Sequence, residues 1–450
     1  METRIRTKFK LTYAQLSAIT FFTIILIGAG LLSLPIASRS GEFTPFINSL
    51  FTATSAVCVT GLVVYDTYSY FSVFGQSVIL MLIQIGGLGF MIIATMFLLM
   101  LRKKIGVKER DFLRESVNSI HIGGIVRLAK HILLGTFLLE GMGAIILSIK
   151  FSSEMGIASG ILNGIFHSIS AFCNAGFDLM GRYEQYSSLT RYSGDTAVNL
   201  TIMALIVIGG IGFLVWEDVY KNKLAFKKYQ LHSKIVLYTT FLLILCSAII
   251  FYIIEKNNLL ADMNMKERVL SSLFQAITPR TAGFNTIDTA SLLESSKLFT
   301  MFLMIIGGSS GSTAGGIKTT TFVITILTVI SSVRNSADLN IFGRRLENGV
   351  LKRAYSIVTI YILGALLAML SISFIQPELM LSDIGFEVLS AIGTVGMSTG
   401  ITRQLVGMSK FIIVVLMFCG RIGSLAVLMA VAENKNNVLV KNPVEKIIIG

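Results

Sequence analysis

Four short stretches of the chain share one pattern of residue types. They read Ser55-Ala56-Val57-Cys58-Val59-Thr60-Gly61-Leu62, Ser170-Ala171-Phe172-Cys173-Asn174-Ala175-Gly176-Phe177, Ile277-Thr278-Pro279-Arg280-Thr281-Ala282-Gly283-Phe284 and Ser390-Ala391-Ile392-Gly393-Thr394-Val395-Gly396-Met397. Each ends in a glycine followed by a bulky apolar residue, and ten positions before the glycine stand Phe51, Phe166, Leu273 and Phe386. The glycines are 115, 107 and 113 residues apart. Glycine permits turns that other residues resist, so such a segment can aim several carbonyls at one point. The chemistry open to it is cation dehydration, in which oxygen dipoles replace the water shell. A short helix ahead of each loop would point its negative C-terminal end at the same ion.

A fifth stretch could also do chemistry. Residues 307–321 read GGSSGSTAGGIKTTT and interrupt an apolar run between 298–306 and 322–330. Irregular backbone at membrane depth is tolerated only where protein or a wet cavity satisfies its polar groups. Two enzymatic readings attach to it. Gly311 to Thr319 resembles a phosphate-binding loop, but Ile317 separates Gly316 from Lys318 and the stretch follows an apolar span rather than a strand. Gly308-Ser309-Ser310-Gly311 fits the GxSG of intramembrane serine proteases, a four-letter match that leaves the four repeated loops unexplained.

The elements that must position these loops are membrane spans. The 450 residues are 53% hydrophobic and only 14% charged, with a mean hydropathy of +0.75, whereas a soluble chain carries about 25% charged residues. Runs of about 20 apolar residues lie at 16–36, 73–101, 125–149, 197–216, 235–254, 298–330 (broken), 357–375 and 411–431, with shorter apolar helices at 46–57, 161–172, 269–277 and 384–392. That is eight spans and four re-entrant half-helices in one membrane domain, 1–450, made of repeats near 12–114, 120–230, 231–345 and 350–450. Internal repetition of this kind outranks any local motif.

Charge orients the chain. Lys and Arg number 23 in the segments at the N-terminus, 102–114, 221–234, 334–353 and 435–446, against 11 on the opposite side. By the positive-inside rule both termini face the cytoplasm and all four half-helices enter from outside. The same blocks account for the net charge of +13 without nucleic acid. Cys58, Cys173, Cys246 and Cys419 show no paired spacing, so neither a disulfide framework nor a zinc site is indicated. Arg4, Arg6, Lys8 and Lys10 precede the first span without a clear cleavage site after it.

With these loops in register, the whole chain resembles the membrane subunit of the Trk/Ktr/HKT superfamily of potassium transporters, most closely the Ktr type. Thr394-Val395-Gly396 repeats the first three residues of the potassium-channel signature. The resemblance implies an all-α integral membrane protein of four M1–P–M2 repeats around one pore. It implies a filter of Val59, Thr60, Gly61, Asn174, Ala175, Gly176, Thr281, Ala282, Gly283, Thr394, Val395 and Gly396. It implies a gate of Gly307, Gly308, Ser309, Ser310, Gly311, Ser312, Thr313, Ala314, Gly315, Gly316 and Lys318, with Arg421 as the fourth-repeat arginine. Members with serine at the first filter position favour sodium, so Gly61 implies potassium. The family further implies a homodimer and a separate cytosolic ring of nucleotide-binding subunits. It implies a multi-pass protein of the bacterial plasma membrane, with K+ as permeant ion, sodium as activator or co-ion left open, and no cofactor or enzymatic activity in this chain. A secondary cation transporter with broken helices is the alternative, although such proteins commonly carry inverted repeats.

Single residues have two readings each. Asp66, Asp178 and Asp288 follow their glycines by 5, 2 and 5 residues and serve either cation concentration or turn capping. Arg280 turns away from the axis or tunes it. Glu140 inside a span needs a protein or water partner, and the four histidines read as packed residues. Lys318 either snorkels or forms a barrier. Arg421 is expected to hydrogen-bond the 307–321 stretch and latch it.

Overall fold

The computed structural model describes residues 12–101, 105–116, 123–223, 225–334, 340–423 and 445. The N-terminal basic residues, His121, the span residues 424–431 and the basic segment 435–444 lie outside the described residues. The chain forms four helical units in sequence. The first holds α1 (Tyr13–Ser33), the half-helix α2 (Phe46–Val57), α3 (Val73–Leu88) and α4 (Phe90–Met100). The second holds α5 (Ile125–Met155), the half-helix α6 (Ile157–Phe172), α7 (Thr196–Gly210) and α8 (Phe213–Asn222). The third holds α9 (Leu231–Glu255), the half-helix α10 (Met265–Ile277), α11 (Glu294–Ile305) and α12 (Thr319–Val333). The fourth holds α13 (Asn348–Ile375), the half-helix α14 (Leu381–Gly393) and α15 (Gly407–Ile422). A small hairpin, Asn340–Ile341 paired with Arg344–Arg345, links the last two units.

Local sequence sets these helices. Thr12 and Gln15 form a capping box on α1, and Asn264 with Glu267 forms one on α10; each satisfies two otherwise free N–H groups. Ser72 and Asp195 cap α3 and α7 through their side chains. Four described helices, α1, α5, α9 and α13, contain windows long and apolar enough to cross a bilayer, and only 22–33% of each window is buried. Their outward faces carry exposed Phe22, Phe137, Phe241 and Leu366, which is the surface a lipid-facing helix presents.

The second spans differ from the simple expectation. Residues 73–101 and 197–216 read as continuous, yet α3 and α4 are bent by 98° at Gly89, and α7 and α8 by 96° at Gly212. Both glycines have positive φ, 82° and 96°, which stops the ladder while the apolar pattern runs on. In the third unit the break widens into residues 306–318. Three of the four half-helices also begin earlier than expected, at Ile157, Met265 and Leu381.

Packing closes the units into a ring. Each first span lies along its own half-helix: α1 on α2, α5 on α6, α9 on α10 and α13 on α14. Each second span lies on the next unit's half-helix, α3 on α6, α7 on α10 and α11 on α14, and α15 returns to α2. Within a unit, Gly86, Gly209 and Gly420 bring the second span against its own half-helix. A methyl there would overlap the carbonyl oxygens of Val57, Phe172 and Ile392, the last or penultimate residues of the half-helices. Hydrogen bonds across the outer side tie the same neighbours. Tyr186 N–H donates to Asp66 at 3.1 Å, Asn285 N–H to Ser188 Oγ at 3.1 Å, and Lys297 Nζ to Asp383 at 3.4 Å, while Lys410 Nζ donates to Asn48 Oδ1 at 3.0 Å.

Candidate functional site: a ring of four loops over a polar stretch

The four half-helices end at the centre and hand the chain to four loops with one backbone design. Two residues before each glycine, Val59, Asn174, Thr281 and Thr394 have φ of 55°, 58°, 73° and 51°, and Gly61, Gly176, Gly283 and Gly396 have φ of 94°, 69°, 79° and 92°. In an extended chain successive carbonyls point to opposite sides; reversing the sign of φ at alternate residues brings them toward one side. Left-handed backbone is costly for β-branched Val59, Thr281 and Thr394, and it persists only where surrounding contacts over-determine it.

Those contacts repeat as well. Thr60, Ala175 and Val395 donate N–H to the carbonyls of Ser55, Ser170 and Ser390, each at 2.8 Å, and Ala282 donates to Thr278 at 2.9 Å. Hydroxyls complete the hold in two ways. In loops one and four the Ser55 and Ser390 Oγ atoms accept from the glycine N–H at 3.0 Å. In loops two and three Ser170 and Thr278 donate to the carbonyls of Phe177 and Phe284 at 2.7 and 2.6 Å. These hydroxyls stand in the aligned loops, yet their tying role depends on the left-handed turns and is invisible from residue types alone.

The loops close a ring in the order of the chain. A methyl on Gly61 would lie 2.6 Å from the Ala175 oxygen, on Gly176 2.8 Å from the Ala282 oxygen, and on Gly283 2.7 Å from the Val395 oxygen. On Gly396 it would overlap the Thr60 oxygen. Each glycine thus leaves its side-chain space to the carbonyl group preceding the next glycine. Among the described residues the buried side-chain oxygens of Thr60 and Thr394 have no hydrogen-bond partner, and that of Thr394 lies against Gly315 beneath the ring. Residues singled out from sequence at all four loops therefore meet at one place.

Outside the ring lies a cavity of 590 Å³ lined by all four glycines and by Asp66, Asp178 and Asp288. The aspartates also cap turns. Asp66 accepts from Ser69 N–H at 2.7 Å, Asp178 from Met180 N–H at 2.9 Å and Asp288 from Ala290 N–H at 3.1 Å. The capping role is thus present, and the three carboxyls also line the outer cavity.

On the other side of the ring the 307–318 stretch crosses the centre. Its ends are joined by Gly307 N–H donating to Ile317 O at 2.9 Å and Thr319 N–H donating to Gly308 O at 3.0 Å. Its middle bonds the second unit. Ser309 N–H donates to Gly210 O at 2.9 Å, Phe213 N–H to Gly311 O at 2.8 Å, and Thr313 Oγ1 to Phe172 O at 3.2 Å. Gly315 sits against Thr394 of loop four, where a methyl would overlap the Thr394 side chain. Arg421 of the fourth unit donates to Thr313 O within the stretch and to Gly86 O and Gly87 O of the first, the last at 3.2 Å. The stretch, Gly86 and Gly87, Gly209 and Gly210, and Arg421 bring all four units together beneath the ring.

Other residues find simpler partners. Lys318 Nζ donates to Ala314 O at 2.7 Å, so it braces its own loop rather than snorkelling away from it. Glu140 accepts from Gln84 Nε2 at 3.1 Å. Arg280 turns off the axis and donates to Thr240 Oγ1 at 3.3 Å, while its Nε has no partner among the described residues. His167 packs fully buried inside its half-helix, and His131 lies beside Tyr220. His232, which no motif marked, places Nε2 3.3 Å from Ser309 Oγ. That serine is fully buried, and it is not Ser310, the serine of the GxSG motif.

Comparison with known proteins agrees with this geometry. A family model described as a cation transport protein, TrkH, matches residues 5–439. The chain is 40% identical over 451 residues to the "Potassium/sodium uptake protein NtpJ" of Enterococcus hirae, covering 99% of each chain. It is 42% identical over 432 residues to the "Ktr system potassium uptake protein B" of Bacillus subtilis, covering 95% of each. The fold matches the crystal structure of the potassium transporter TrkH from Vibrio parahaemolyticus with a TM-score of 0.71 at 19% identity, over 95% of this chain and 86% of that one. A multi-pass membrane protein built as four M1–P–M2 repeats around a central ring, the chain belongs to the TrkH family of cation transport proteins.

Proposed function

We propose that this protein carries potassium across the plasma membrane through the ring of four loops, as the ion-translocating subunit of a Ktr-type uptake system. The observation that carries the reading is the closed ring, in which each glycine yields its side-chain space to the next loop's carbonyl. Carbonyls so fixed replace the water shell of a weakly hydrated alkali cation, with the unpartnered Thr394 hydroxyl as a further ligand. The half-helix C-terminal ends add negative potential at the same point. The stretch 307–318 closes the path on the cytoplasmic side, and Arg421 holds it there. Inward flux follows from the membrane potential, about 2.3 kcal/mol per charge per 100 mV. No reaction is required of the chain, and the four like-oriented repeats favour a pore over a secondary transporter.

The partners follow from the same reading. The chain works as a homodimer on a separate cytosolic ring of nucleotide-binding subunits, with both termini in the cytoplasm of a bacterial cell. The relatives' names support the ion and the separate subunit only: two describe uptake of potassium, one of them also sodium, and one belongs to a named system. Sodium enters as activator or co-ion. Purified protein in liposomes holding an inside-negative potential accumulates K+ in preference to Na+; vesicles that accumulate neither ion would overturn the assignment.

A further inference from the structure

Glu387 lies on the half-helix α14, nine residues before Gly396, and is 1% exposed. A carboxylate at that depth is costly unless it is bonded, and among the described residues no cation pairs with it. Its two oxygens instead accept from hydroxyls beyond the ring glycine. Ser398 Oγ donates to Oε2 at 2.7 Å, and Thr402 Oγ1 donates to Oε1. Ser398 also accepts from Gly400 N–H at 2.9 Å and lies 3.1 Å from Thr402 Oγ1. Ser398, Gly400 and Thr402 line the outer cavity. Loop four is therefore held twice from α14, below Gly396 by Ser390 and above it by Glu387.

The same column differs in the other units. Its residues are Thr52, His167 and Phe274. Thr52 bonds the Asn48 carbonyl of its own helix at 2.9 Å, and Phe274 is apolar. His167 alone reaches outward, taking the Leu179 N–H on Nε2 at 3.4 Å. Among the described residues, the residue in this column bonds the outer limb only in loops two and four, and is a carboxylate only in loop four.

We infer that Glu387 is a positioning residue that sets cation preference by holding the outer limb of loop four and so the width of the ring. This rests on the proposal that the ring conducts. Carbonyls that are free to close around a smaller ion lose their discrimination against sodium. A carboxylate is an acceptor on both oxygens, so the two hydroxyls can each donate without competition. A carboxamide replaces one of those acceptors with a donor.

The test measures K+ and Na+ uptake by the full chain in liposomes. Glu387→Gln is expected to lower the K+ over Na+ preference by roughly tenfold, the scale of one lost charge-assisted hydrogen bond, with total uptake and melting temperature near those of wild type. Ser398→Ala combined with Thr402→Val removes the same bonds from the other side and gives the same change. Adding Glu387→Gln to that pair gives no further change, because the bonds are already gone. An unchanged preference in Glu387→Gln, or effects that add, overturns the inference. If Glu387→Gln does not fold, the hydroxyl pair decides alone. Wild type that moves no alkali cation would instead refute the uptake reading itself, a different result from normal uptake with an indifferent Glu387.

Discussion

Gly396→Ala abolishes potassium uptake by folded protein, lowering the rate by about a hundredfold or more, the cost of displacing reacting groups by roughly 1 Å. The added methyl overlaps the Thr60 oxygen and lies 2.9 Å from Gly61 Cα. Both neighbours are backbone, so no side-chain rotation relieves the overlap. The residue also holds φ at 92°, a conformation costing about 1–3 kcal/mol with a Cβ. Relief moves loop one or loop four outward, and either displaces an oxygen that replaces water around the ion. Gly141→Ala, which meets nothing within 4 Å, serves as the control and leaves uptake unchanged. Initial rates of K+ uptake in liposomes check the pair. Wild-type uptake by Gly396→Ala would remove the ring from the permeation path.

Arg421→Ala raises resting flux by about tenfold or more, against the usual expectation that losing a buried partner lowers activity. The guanidinium bonds three carbonyls, Thr313 in the crossing stretch and Gly86 and Gly87 in the first unit. Hydrogen bonds to charged groups are worth about 1.5–3 kcal/mol each, and 1.4 kcal/mol is a factor of ten in the closed-to-open ratio. Arg421→Lys separates latch from charge. A lysine keeps the positive charge but lacks the planar fork that spans several acceptors, so it leaks more than wild type and less than alanine. Ion efflux from loaded liposomes without regulatory subunits is the readout. A lysine variant as tight as wild type would make charge, not bridging, the barrier.

Much of this architecture was legible from residue types because each unit repeats the same problem. Each half-helix must be followed by a loop with a glycine where the next loop leaves no room for a side chain, and four such glycines in register announce four loops. The half-helix 46–57 coincides with α2, and Arg421 stands against the stretch it was expected to hold. What the sequence could not express is direction. Hydropathy runs unbroken through Gly89 and Gly212, so the near-right-angle bends there appear only when φ is known. The left-handed Val59, Thr281 and Thr394 were hidden for the opposite reason: β-branched residues resist that conformation in isolation, and hydrogen bonds from the half-helix end hold it. Lys318 is similar. Its chemistry suggested a barrier or a snorkelling chain, and its partner, the Ala314 carbonyl, comes from the tight turn of its own loop. His232 lies 77 residues from Ser309, beyond the reach of any local motif.

The account's central claim is that the cation path runs through the ring. Crystals of the protein grown with Rb+ or Tl+ in place of K+ locate the ion by anomalous scattering. The expected result is a peak on the axis between the carbonyls of Thr60, Ala175, Ala282 and Val395, lost in Gly396→Ala. Ordered heavy-ion peaks elsewhere in the protein, with none within the ring at saturating concentration, would contradict it.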